Sequence, residues 1–339
     1  MSALIDSTQL GFPWQTADPF LFCAYHHDYF PNGNGQSGPA TSLAGRQIGQ
    51  DFTIKDGWRM YHGETVPGFP CHPHRGFETI TVVTKGLVDH ADSLGAAGRY
   101  GYGDVQWMTA GSGVQHSEMF PLINEDRKNE LELFQIWLNL PARSKMVEPD
   151  FKMFWSENVP LYETQDANGN SVNVKVIAGE LEGLQPPLPP ADSWAADKGN
   201  DVAVWIINLA AGATWQLPPA GSNLSRSLYF YAGQCLQVEG QQFKPEALLR
   251  LQSDQTATLI NSSDQSASML LLQGRPIEEP VAQHGPFVMN TESEIRQTFQ
   301  DYQATQFGGW QWPRADQIHS GRDRFAKYPD GKEENHGIP

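Results

Sequence analysis

The residues of this sequence best suited to chemistry are three histidines and two glutamates. His72-Pro73-His74 sets two imidazoles at i and i+2, and His116-Ser117-Glu118 sets an imidazole and a carboxylate at the same spacing. On an extended chain, residues two apart share a face. Two such pairs on adjacent strands of a small barrel therefore converge as three nitrogens and one oxygen. That donor set suits a borderline divalent ion (Fe, Mn, Cu, Ni, Co or Zn) and leaves positions open for water, substrate or oxygen. Glu78 follows His74 by four residues, so on a regular strand it faces the same way. It is an alternative to Glu118 as fourth ligand, or an acceptor that fixes an imidazole, and spacing leaves the choice open. Cys71 points to the face opposite His72. A metal-free polar rim is the competing account, and two histidine-bearing pairs bracketed by hairpins argue against it.

The elements that must position these groups are strands. Pro73 stiffens the backbone between the two histidines, and its missing N–H predicts a sheet edge or rim. Glu78 to Lys85 is rich in β-branched residues and stops at Gly86, and Leu87 to Asp92 is the return strand of a hairpin. Asp104 to Met108, Val114 to Phe120 and Glu132 to Leu140 follow, closed by Pro141. From about 45 to 141 the pattern predicts six to eight short strands and no long helix, as in a sandwich or jelly roll. A second set runs from about 172 to 275. It contains no histidine, so it has no cognate site. The stretch Pro141–Pro160 is the expected boundary, and the proline-rich run 183–190 an insertion loop. Thr291 with Glu294 predicts a capping box that opens a short helix through Ile295, Phe299 and Tyr302. His284 lies beyond the second strand set and reads as structural.

Composition narrows the function classes. The 339 residues carry a formal net charge of −16, which disfavours a surface that tracks nucleic-acid phosphates. An aromatic share of 11% with a charged share of only 18% excludes a disordered chain. The 32 Gly and 24 Pro, about one residue in six against a usual share of about 12%, favour many turns. No run approaches the roughly 18 apolar residues of a membrane helix. Three cysteines make no disulfide framework, and the N-terminus lacks a basic start with an apolar core, so a cytoplasmic protein is the expectation, with the nucleus open to a eukaryotic one. There is no Gly-x-Ser-x-Gly elbow for a serine hydrolase, and Gly101-Tyr102-Gly103 lacks the strand-to-helix context of a phosphate loop.

Several strings go further than a general pattern. His72-Pro-His-Arg-Gly-Phe-Glu-Thr79, Gly103 to Gly111 with His116-Ser-Glu-Met119, Phe134 to Pro141, Gly285 to Thr291 and Asp301-Tyr302 closely resemble the pirin family of the cupin superfamily, over about residues 17–312. The resemblance implies an all-β bicupin: two antiparallel jelly-roll barrels and a short C-terminal helix. The barrels fall in residues 1–145, with the metal site, and 146–312, without one; 313–339 form a polar tail. It also implies His72, His74, His116 and Glu118 as metal ligands, thus preferring Glu118 to Glu78, and Fe(II) as the usual metal. The implied activity is a dioxygenase cleaving a flavonol such as quercetin with O2. In it Glu118, if it detaches from the metal, is the general base for the substrate hydroxyl. The alternative it implies is a metal-dependent, redox-sensing regulatory protein like a transcription cofactor, which at this charge acts through a protein partner and not on DNA. The run Ala24 to Phe30 departs from the family pattern and brings in His26 and His27. Four donors are already supplied, so these two are expected on the surface or in a lid.

Overall fold

The structure, a computed structural model, describes residues 2–338. Its strands are β1 (Leu4–Gln9), β2 (Phe20–Phe30), β3 (Gly68–His74), β4 (Phe77–Lys85), β5 (Leu87–Asp92), β6 (Ala97–Gly101), β7 (Val105–Thr109), β8 (Val114–Met119), β9 (Asn129–Asn139) and β10 (Asp150–Phe154). There follow β11 (Leu161–Gln165), β12 (Ser171–Ala178), β13 (Ala203–Leu209), β14 (Thr214–Leu217), β15 (Ser225–Ala232), β16 (Leu236–Val238), β17 (Gln241–Phe243), β18 (Ala247–Leu251), β19 (Ala257–Asn261) and β20 (Ala267–Gly274). The C-terminal part holds β21 (Ala282–His284), β22 (Phe287–Met289), α1 (Glu292–Thr305), β23 (Arg324–Lys327) and β24 (Glu333–His336). The all-β reading from strand periodicity therefore holds. The predicted helix opens at the predicted cap: the Thr291 side chain accepts from the Glu294 backbone, and the Glu294 carboxylate accepts from the Thr291 backbone.

Contacts divide the chain into two units. The histidine-bearing unit comprises Tyr25–Gln135, Ala142–Ser156 and Glu279–Pro339. Two sheets build it, ordered β10-β7-β4-β9-β2 and β24-β23-β6-β5-β8-β3. Its core lies between them: Phe30, Val83, Met108, Leu131, Leu133 and Phe151 from the first sheet meet Val88, Tyr100, Val114 and Ala326 from the second. The other unit comprises Met1–Ala24, Ile136–Pro141 and Glu157–Glu278. It is likewise a sandwich, with sheets β1-β18-β15-β20-β13-β12-β11 and β14-β19-β16-β17 around an apolar core that includes Val174, Trp205, Ile207, Leu228, Phe230, Leu249 and Leu271.

Both units are open cupin-type sandwiches and not closed barrels, because each sheet ends in an edge strand. The edge that matters is β3. Pro70 and Pro73 have no N–H to donate, so the strand cannot support a full ladder on its outer side. The Cys71 N–H is instead taken by the Ala315 carbonyl at 2.8 Å. Two segments depart from expectation. Residues 141–160, the expected boundary, include β10, which pairs with β7 along its whole length. Residues after 312, expected as a tail, supply β23 and β24, and β23 pairs with β6. A polar sequence can form these strands because buried charges anchor them. Arg99 makes a paired contact with Asp89, Nε to Oδ1 at 2.6 Å and Nη2 to Oδ2 at 2.8 Å, and also donates to the carbonyls of His319 and Gly321. Arg324 Nη1 meets Asp104 Oδ1 at 2.6 Å.

Removing one member of a buried charge pair strands the other. Arg99→Ala is therefore expected to destabilise the chain by about 3–5 kcal/mol, read from urea unfolding. An unchanged unfolding midpoint would refute the anchoring role assigned to Arg99.

Candidate metal centre

The antiparallel pairing of β3 with β8 sets His72 directly opposite His116, with His74 opposite Val114. Alternation along β3 brings His74 to the same face as His72, and a bulge between Phe69 and His72 adjusts the register. The three rings lie 4.5 Å (His72–His116), 4.8 Å (His74–His116) and 4.8 Å (His72–His74) apart between centroids. One nitrogen from each falls within 4.8 Å of the others, so these histidines form a group able to hold a metal ion. His74 and His116 are buried and His72 half-buried.

The ring nitrogens fit that use. His72 Nδ1 lies 2.8 Å from the Pro70 carbonyl, which can only accept; Nδ1 therefore carries the proton and Nε2 the lone pair. His74 meets the Pro286 backbone, and a proline backbone too can only accept. His116 is fully buried, and neither of its ring nitrogens has a hydrogen-bond partner, a costly arrangement for a side chain without a further role. Burial also keeps all three neutral. It lowers the His72 pKa to about 4, and it holds His74 and His116 well below the ordinary histidine value, with the neighbouring imidazoles adding to the effect. Neutral imidazole is the ligating form.

Glu118 sits beside the group, its Oε2 3.8 Å from His116 Nε2. Gln135 Nε2 donates to its Oε2 at 2.9 Å, and Thr81 Oγ1 lies 3.0 Å from its Oε1, the single Thr81 proton being shared between that oxygen and Gln135 Oε1. Burial raises its pKa, opposed by these hydrogen bonds. Glu78 lies apart from the group. Its place four residues after His74 implies a shared face only on one continuous strand, but β3 ends at His74 and Gly76, at φ +85°, turns the chain into β4. There Glu78 is buried and accepts from Thr109 Oγ1 at 2.6 Å.

His26 and His27 also lie outside the group. His26 is not on the surface: it is buried, with Nδ1 2.9 Å from the Tyr61 hydroxyl. His27 is half-buried against Glu130 at 2.8 Å. His284 ends β21 and packs edge-on against Phe299. A cavity of about 310 Å³ in the same unit is lined by Phe30, Lys85, Leu87, Phe120, Arg127 and Leu131 among others, and by none of the three histidines.

Sequence reasoning missed His90 and Asp92. His90 on β5 stands opposite Glu118 on β8, fully buried, with its ring 5.5 Å from that of His116. Its Nε2 is 3.3 Å from Asp92 Oδ2, while Asp92 Oδ1 accepts from the backbones of Leu94 and Ala96. The signal was a third i, i+2 pair, His-x-Asp, on the return strand of the hairpin. Thr81 and Gln135 carry no such signal, since their relation to Glu118 comes from strands far apart in sequence.

Buried neutral histidines make stability depend on pH. Below about 6.5 the unfolded chain takes up protons that the folded imidazoles refuse, so stability falls as pH drops from about 6.5 toward 4. His26, whose pKa burial and the Arg59 charge push down to about 3, contributes across this whole window. In chelator-treated protein, His26→Gln should make the fall shallower by up to roughly 1.4 kcal/mol per pH unit, measured by denaturant unfolding between pH 7 and 4.5. Parallel pH profiles for the two proteins would contradict this.

Comparison with known proteins agrees with this architecture. Residues 9–138 match the family described as Pirin, and residues 204–308 the one described as Pirin C-terminal cupin domain. A pirin-like protein of Caulobacter vibrioides is 37% identical over 241 residues, covering 71% of this chain and 80% of that protein. A Vibrio cholerae protein with the provisional name quercetin 2,3-dioxygenase is 37% identical over 249 residues, covering 71% of this chain and 80% of that protein. A crystal structure of quercetin 2,3-dioxygenase from Acinetobacter baumannii aligns with a TM-score of 0.70 at 26% identity, across 91% of this chain and 99% of that one. The three histidines fall inside the first matched stretch, and the strands from Thr214 to Gly274 inside the second. The chain belongs to the pirin family.

Proposed function

We propose that this protein is a mononuclear metal-dependent dioxygenase that cleaves a flavonol such as quercetin with O2, using iron held by His72, His74, His116 and Glu118. The observation that carries this reading is the buried three-histidine group with Glu118 beside it. The likeness to proteins named as quercetin 2,3-dioxygenases supports the reaction and the substrate class. Net charge of −16 and the absence of any long apolar helix among the described residues fit a small-molecule substrate better than nucleic acid or a membrane span. Three free cysteines are in keeping with a cytoplasmic setting.

Iron, when bound, supplies Lewis acidity and a redox-active centre at which a hydroxylated aromatic and O2 can be brought together. The chain's own residues do the rest. Pro70 fixes the His72 tautomer, so one nitrogen is always presented as a lone pair. Burial keeps His74 and His116 neutral. Glu118, once detached from the metal, would accept the proton of the substrate hydroxyl at a carboxylate oxygen. Thr81 and Gln135 hold the carboxylate in place for it.

The test is oxygen uptake by anaerobically iron-loaded protein given quercetin. Wild type should consume O2. His116→Ala should lose both bound iron, by metal analysis, and activity. Glu118→Gln should retain more iron than His116→Ala while turnover falls on the order of 10²–10⁴-fold. Oxygen uptake by His116→Ala equal to wild type would exclude the proposed centre.

A further inference from the structure

We infer that Phe52, His62 and Phe69 form a stacking wall beside His72 that selects planar aromatic ligands, an inference that rests on the flavonol reading above. Exposure increases stepwise away from the three-histidine group. His74 and His116 are buried, His72 and Phe69 half-buried, and His62 and Phe52 exposed, Phe52 at 40%. The rings are in contact along the same line: Phe69 to His72 at 6.4 Å between centroids, His62 to Phe69 at 5.8 Å, and Phe52 to His62 at 4.9 Å. Such separations and edge-to-face geometries are those of interacting aromatic pairs. The approach to the metal group on the His72 side is therefore lined with rings, which complement a flat conjugated ligand.

This wall is built, not incidental. Tyr61, immediately before His62, has φ +58°, an uncommon conformation for a bulky residue, and functional sites are where such strain collects. A buried network holds it there. The Tyr61 hydroxyl donates to Asp28 Oδ2 at 2.6 Å, and Arg59 grips the same carboxylate through Nε at 3.0 Å and Nη2 at 2.9 Å. With its single hydroxyl proton given to Asp28, Tyr61 can only accept from His26, so Nδ1 of His26 is the donor at 2.9 Å. The Tyr61 backbone exchanges hydrogen bonds with Asp51, at 2.8 and 3.0 Å, which fastens the neighbouring Phe52. The His62 backbone N–H donates to Gly68 at the start of β3, and its Nδ1 donates to the Gly49 carbonyl at 2.7 Å. These bonds fix the ring of an exposed histidine that no core packing requires.

The experiment is titration of chelator-treated protein with quercetin and with taxifolin, which has the same hydroxyl set but a saturated, non-planar central ring. Wild type should prefer quercetin. Phe52→Ala and His62→Ala, both at exposed positions, should each weaken quercetin binding by about fivefold and leave taxifolin nearly unchanged. His62→Phe should restore most of the quercetin affinity, since a ring and not a charge is required. Wild type that does not bind quercetin, or variants that bind it as wild type does, would overturn the wall. Oxygen uptake separates this from the catalytic reading. If iron-loaded wild type consumes no O2 with quercetin while the variants lose the planar preference, the wall stands and the dioxygenase reading fails. If oxygen uptake occurs but planar preference is unaffected by the substitutions, the wall is overturned and the dioxygenase reading stands.

Discussion

The histidine site depends on one pairing, that of β3 with β8, which puts His72 opposite His116. A slip of one residue would turn either strand's side chains to the other face and disperse the donors. That register must be held on an edge strand carrying two prolines, where few main-chain bonds are available. The structure supplies other restraints: a bulge between Phe69 and His72, the turn at Gly76, and the Ala315 carbonyl on the Cys71 N–H. Gly76 itself has no alternative, because its φ is +85° and an added Cβ would meet the Val288 carbonyl oxygen at 1.9 Å. The C-terminal segment is thus part of what keeps the histidine strand in place.

Local pattern made much of this legible. Alternating β-branched stretches marked the strands, the missing N–H of Pro73 marked an edge, and Thr291 with Glu294 marked the helix start, all as the structure has them. The i, i+2 pairs found the three histidines because a strand's period of two is a local property. What failed was inference across a turn: Glu78 shares no face with His74 once the chain reverses at Gly76. What was invisible was pairing between distant strands. Gln135 reaches Glu118 from β9, Thr81 reaches it from β4, and β23 joins β6 across more than two hundred residues. Strand β23, Arg-Phe-Ala-Lys, is too short to show a period, and the buried partner of Arg324, Asp104, cannot be read from the segment itself.

Burial explains why the site is electrically quiet. His26, His72, His74, His90 and His116 are packed into one sandwich, yet four of them have pKa values lowered chiefly by desolvation, so the cluster carries little positive charge near neutrality. Asp92 Oδ2 lies 3.3 Å from His90 Nε2, and the Pro70 carbonyl settles the His72 tautomer. Burial makes a carboxylate costly to ionise, and this desolvation raises Glu118 although Thr81, His90 and Gln135 all pull the other way.

The two units show what this arrangement demands of a sandwich. In the unit without the histidines, Arg226 is the one buried charged residue among the described residues, and the core is continuous hydrocarbon from Val172 to Leu271. The histidine unit buries Asp28, Arg59, Asp89, Arg99, Asp104, Glu118 and Arg324 within the same type of sandwich. Replacing such pairs by apolar residues is often neutral or stabilising in other proteins, so hydrophobic burial alone gives no reason to retain them. Their use here is directional. Asp28 with Arg59 holds Tyr61 in a strained conformation, Arg99 with Asp89 ties the C-terminal segment down, and Arg324 with Asp104 anchors β23. Hydrocarbon packing tolerates small displacements, whereas a paired guanidinium and carboxylate fix both distance and angle. A sandwich that must keep three nitrogens within 4.8 Å of one another gains from that directionality what a purely apolar core does not provide.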